Sequence, residues 1–263
     1  MLEIFQYGFM LRAFAAGIIV AVISPLIGTF LVTRKYSLIS DTLSHVSLAG
    51  VMLGLLIGIN PIFTALGVAL LAAWLIERIR GEKKVSGETV LSLFLSGGLA
   101  IAVILMGLGK GFGVDLFSYL FGSITTVRNE DLFIILILGT VVLVTILMMY
   151  KKLLYVCYDE EGARVAGLPV KSINFLLITL AAFTVVVAMR IVGVLLIGAL
   201  MTIPAITAMQ VAKSFKQSLV LSVFLSLAAV TGGLWLAFYF NLAAGGAIVI
   251  LALTFFGISR ICD

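Results

Sequence analysis

The chain has 263 residues, of which 63% are apolar and only 11% charged, too little charge to cover a soluble domain of this size, so lipid must serve as its solvent. Its 17 Lys and Arg exceed its 12 Asp and Glu to give a formal charge of +5. The basic residues sit in short connections between apolar runs, which reads as membrane topology and excludes a nucleic-acid partner.

Apolar runs near 9–33, 38–59, 61–79, 88–108, 131–150, 172–189, 192–212, 218–240 and 245–259 predict about nine spans across roughly 30 Å of hydrocarbon at about 1.5 Å per residue. Thirteen basic residues, among them Arg34, Lys35, Lys83, Lys84, Lys151 and Lys152, fall in alternate connections. Only four, Arg12, Lys110, Arg128 and Arg190, fall in the others. Lys and Arg are retained on the cytoplasmic side, so the N-terminus is expected outside and the C-terminus inside. No removable signal peptide is evident. Cys157 and Cys262 have neither metal-type spacing nor the pattern of a disulfide framework.

Between the fourth and fifth runs, Leu116 to Ile124 is apolar but too short to span. Two readings of 113–124 stand open: a half-helix re-entering from the outer face, or an interfacial helix held on the surface by Tyr119 and the Phe residues. Small residues within the runs, such as Gly193, Gly198 and Ala199 or Ala243 to Gly246, favour close helix packing. The expectation is one all-α, polytopic membrane domain over 1–263.

The second run carries Asp41 and His45, and His45 is the chain's one histidine. Four residues apart on a helix, their side chains share a face. Asp41 falls six residues beyond Lys35, about 9 Å along the helix, with His45 about 6 Å further. Burying an ionisable group in a membrane costs roughly 2.5–3.5 kcal/mol, so such residues face a partner, a cavity or a permeation path. Carboxylate and imidazole together suit zinc, manganese or iron. The alternative is structural: Asp41 or Ser40 capping the helix start, and His45 in an ordinary interhelical hydrogen bond.

A second polar segment, 155–169, lies on the cytoplasmic side. Asp159, Glu160 and Glu161 precede Ala163, Arg164, Val165 and Ala166, and Gly167 and Pro169 follow. Acidic residues first, small apolar residues within, then Gly and Pro describe a short surface helix with a defined stop. It is a candidate docking knob for a soluble partner or, alternatively, a solvated loop.

No G-x-x-x-x-G-K-[ST] loop occurs, so ATP dependence would come from another polypeptide, and no catalytic constellation suggests membrane-embedded hydrolysis. Pro204 interrupts the seventh run, and two readings stand open: a kink from the removed backbone hydrogen bond, or static packing.

The segments Asp41-Thr42-Leu43-Ser44-His45 continuing through Ser47 to Val51, Phe117 to Gly122, Asp159 to Gly167, and Gly198 to Ala205 resemble, in order along the chain, the permease subunit of the manganese/zinc family of ABC importers, the metal-specific branch of the type II import fold. The resemblance implies a homodimer around a central path, two cytoplasmic ATP-binding subunits, and an extracellular metal-binding delivery protein. It further implies that Asp41 and His45 contact the transported metal, with no permanently bound cofactor. Asp159, Glu160, Glu161, Ala163, Arg164 and Gly167 would belong to the coupling helix that docks on the ATP-binding subunit. Zinc, manganese and iron stay open as cargo. Competing classes are an ion- or proton-coupled secondary transporter, a membrane enzyme, and an importer of vitamin B12 or chelated iron.

Overall fold

The computed structural model describes residues 6–80, 86–109, 118–123, 125 and 127–261. Lys83, Lys84, Lys110, Leu116, Phe117, Ile124 and Cys262 lie outside them. The helices are α1 (Gly8–Thr33), α2 (Leu38–Ile57), α3 (Pro61–Arg80), α4 (Gly87–Leu108), α5 (Asn129–Tyr158), α6 (Glu160–Val165), α7 (Val170–Ala188), α8 (Ile197–Val211), α9 (Phe215–Phe240) and α10 (Ala244–Ile261). Among the described residues, eight helices are long and apolar enough to cross a membrane. The short exceptions are α6 and α8.

Apolar residues on all sides mark a helix for the interior, and α1 fits this. It is buried from Met10 to Leu31 along most of its length and touches α5, α7, α8 and α9. The outer surfaces of α4 and α5 instead expose large apolar side chains, such as Leu93 and Ile104 or Phe133 and Met148. These are the surfaces for lipid.

Two runs differ from the sequence expectation. α5 continues through Lys151 and Lys152 to Tyr158, because Leu153 and Val156 carry its buried face onward past the charges. In the seventh run, helix begins only at Ile197 and lasts 15 residues, about 22 Å. The preceding 190–196 is non-helical, and Gly193 adopts φ +85°.

That break is matched by the short outer segment. Residues 118–121 form one helical turn, and the chain then pairs by its backbone with the broken stretch. Val194 N donates to Tyr119 O at 2.9 Å, Leu195 N to Leu120 O at 3.3 Å, and Ser123 N to Arg190 O at 3.4 Å. Gly122 (φ +75°) abuts Ile191 O so tightly that any Cβ would overlap it, and Gly193 meets the backbone of 120–122 in the same way. Tyr119 is buried. The described residues 118–123 are therefore fastened by their backbone to the broken stretch, with Tyr119 and Gly122 buried and Phe121 exposed. Beside it a cavity of about 760 Å³ is lined by, among others, Arg12, Asn60, Tyr119, Arg128 and Arg190. Three of the four basic residues assigned to the outside thus meet at one end.

Candidate metal path and coupling face

The rotation of α2 about its own axis is set by glycine. At about 100° per residue, Gly50 and Gly54 lie about 180–220° round the helix from Asp41, whereas His45 lies about 40° from it. A Cβ on Gly50 would stand 2.6 Å from Ala65 Cα, and one on Gly54 would overlap the Thr64 hydroxyl. Only bare glycines let α3 approach so closely. Gly98 of α4 does the same against Val46, where a Cβ would lie 2.8 Å from Cγ2. With that side sealed, Asp41 and His45 face the other way.

The two residues are close enough to interact electrostatically, and both are half-buried. Asp41 abuts Gly198, at the start of α8. His45 Nδ1 is buried and has no hydrogen-bond partner among the described residues. Neither structural alternative describes this arrangement. The residue before α2, Ser37, makes no side-chain cap, and Ser40 Oγ instead donates back to Ser37 O at 2.7 Å. A carboxylate and an imidazole on one helix face are donor types that suit a borderline metal. No group of three or more His, Cys, Asp or Glu suited to a metal occurs among the described residues.

α6 forms as a short helix with defined ends. Asp159 Oδ1 accepts from Gly162 N at 2.8 Å. Leu168 N then donates to Ala163 O at 3.0 Å and Gly167 N to Arg164 O at 3.1 Å, with Gly167 at φ +80°. These paired bonds around a left-handed glycine terminate the helix. Ala163 is buried beneath it, and Glu161, Arg164 and Val165 point outward, Val165 being 90% exposed.

Arg34, just after α1, ties this helix to the bundle. Its side chain is 5% exposed. It donates through Nη2 to Glu160 Oε2 and through Nη1 to Asn174 Oδ1 of α7. Its guanidinium also lies 5.0 Å from the ring of Tyr36, which Arg80 of α3 covers from 3.8 Å. Glu160 has a second, exposed partner in Arg164 at 3.3 Å. In the sequence Arg34 is a topology marker and nothing more, because its partners are remote along the chain. Pro204 is buried inside α8, and Pro25 sits likewise inside α1, a position to which the sequence pattern gives no prominence.

Residues 6–263 match the model of the ABC 3 transport family. The chain is 35% identical to the manganese import system permease protein ScaB of Streptococcus gordonii, over 97% of this chain and 91% of that protein. It is 32% identical to the high-affinity zinc uptake system membrane protein ZnuB of Haemophilus influenzae, over 94% and 95%. Its fold superimposes on PsaBC from Streptococcus pneumoniae in complex with Fab with a TM-score of 0.88 at 36% identity, covering 98% of this chain and 92% of that one.

Proposed function

Because this chain belongs to the ABC 3 transport family, we infer that it is the multi-pass permease subunit of an ATP-driven importer of manganese or zinc in the bacterial cell membrane. The observation that carries the reading is the Asp41 and His45 pair, presented on one face of α2 with a buried, unpartnered imidazole nitrogen. Family membership favours neither a secondary transporter nor a membrane enzyme. A chelate or vitamin importer would have no use for two bare metal ligands.

Asp41 and His45 are the cargo's ligands within the path. Two copies of the chain would complete a site of two carboxylates and two imidazoles, a set suited to either metal. Its incompleteness in one chain fits a conduit that must release what it holds. The chain has no phosphate-binding loop, so ATP would be hydrolysed by a pair of cytoplasmic subunits. The exposed face of α6, with Val165 and Glu161, is the docking surface for them. Arg34 carries their motion from Glu160 to α7 and to the turn that leads into α2. An extracellular metal-binding protein would deliver the cargo.

The test is elemental analysis of manganese, zinc and iron in a metal-starved host carrying the whole system, at matched membrane expression. Accumulation of one metal, lost in Asp41→Asn and in His45→Ala, is expected. Unchanged accumulation in both variants would return the pair to a structural role. Neutral imidazole is the liganding form. In vesicles holding only the permease and its ATP-binding subunits, metal transport should therefore fall as acid protonates His45. Transport that ignores pH would remove His45 from the path.

A further inference from the structure

The break ahead of α8 places a helix start inside the protein, because the chain leaves α7 at Ala188 and resumes helix only at Ile197. Ile197 and Gly198 are buried there. The first N–H groups of any helix lack acceptors within it, and Leu196, which precedes α8, provides no side-chain cap. The Asp41 side chain is lodged against this uncapped turn. A Cβ on Gly198 would overlap Asp41 Oδ1 and stand 2.7 Å from its Cγ and 3.2 Å from Oδ2, so the whole carboxylate occupies the space that a side chain at 198 would fill. Thr202 Oγ1 donates to Gly198 O at 2.7 Å.

On the reading of Asp41 as a cargo ligand, we propose that Gly198 is a positioning residue for the metal path: its missing side chain seats the Asp41 carboxylate against the first turn of α8, held in one orientation beside His45. The clash that a methyl group would create falls on the end of a flexible side chain. The carboxylate therefore gives way and the backbone stays. Gly28 of α1 is the opposite case, because a Cβ there would overlap the backbone carbonyl of Met201 and would have to push α1 and α8 apart.

The experiment follows metal-induced thermal stabilisation of the purified complex of permease and ATP-binding subunits, titrated with manganese(II) alone and then zinc(II) alone. Gly198→Ala is compared with wild type, Asp41→Ala, the double variant, and Gly67→Ala, where a Cβ would meet nothing within 4 Å. Expected are wild-type binding in Gly67→Ala, half-saturation raised about 10–100-fold in Gly198→Ala, and no further effect of Gly198→Ala once Asp41 is alanine. Wild-type titration by Gly198→Ala, with binding lost in Asp41→Ala, would overturn the seat and spare the ligand. Wild-type titration by Asp41→Ala would overturn the ligand assignment itself. A metal-free unfolding temperature lowered equally by Gly198→Ala in both backgrounds would make the glycine a packing residue and end the proposal. Should Gly198→Ala fail to assemble, the double variant should assemble, because the overlapping carboxylate is gone; its failure too would overturn the proposal.

Discussion

The two ends of the bundle are closed by different means. At the outer end, 119–123 and 190–195 pair through backbone hydrogen bonds, with Gly122 and Gly193 pressed against opposing main chain. At the inner end, α6 is held to the bundle by one buried arginine and its side-chain partners. Backbone packed on backbone has no alternative rotamers, whereas an ion pair can be broken and remade. Backbone pairing makes the first of these ends the stiffer, and side-chain pairing makes the α6 end the easier to rearrange.

The largest effect should come from the outer end. Gly122→Val must relieve both a left-handed backbone, worth about 1–3 kcal/mol, and an overlap of similar cost. Loss of monodisperse protein in size-exclusion chromatography is expected, and a normal yield would show that the outer pairing is soft. Arg34→Ala comes next, with about 1–3 kcal/mol lost from charged hydrogen bonds, seen as a lower unfolding temperature. Its sharper consequence is uncoupling: ATP hydrolysis by the assembled complex should persist while metal uptake falls. Arg34→Lys should recover only a fraction, because an ammonium cannot reproduce the fork that reaches Glu160 and Asn174 together. Equal loss of hydrolysis and uptake would reduce Arg34 to a structural clamp. Smallest is Arg164→Ala, which removes an exposed pair four residues apart worth about 0.3–0.5 kcal/mol. Its effect on stability should be close to the limit of a thermal melt.

The same contrast explains what can be read from the chain. Span positions are legible because length and apolarity alone decide them, and so are the Asp41 and His45 face and the ends of α6, which depend on residues within a turn or two. The non-helical 192–196 is hidden inside an apolar run, since the hydrogen bonds of this break go to residues some seventy positions earlier. The extension of α5 is obscured by Lys151 and Lys152, which mark a membrane boundary without ending a helix. Arg34 finds Glu160 and Asn174 at separations of 126 and 140 residues, and no local pattern announces such partners. The Gly198 seat is likewise a contact between helices distant in sequence, although the glycine itself stands out among the small residues of its run.

The most direct test of the metal path is equilibrium binding of manganese(II) or zinc(II) to the purified complex, counted against permease chains. One ion bound per two chains, abolished by Asp41→Asn and by His45→Ala alike, is the result expected of a site shared between two copies. Ions bound at the wild-type ratio in both variants would contradict it.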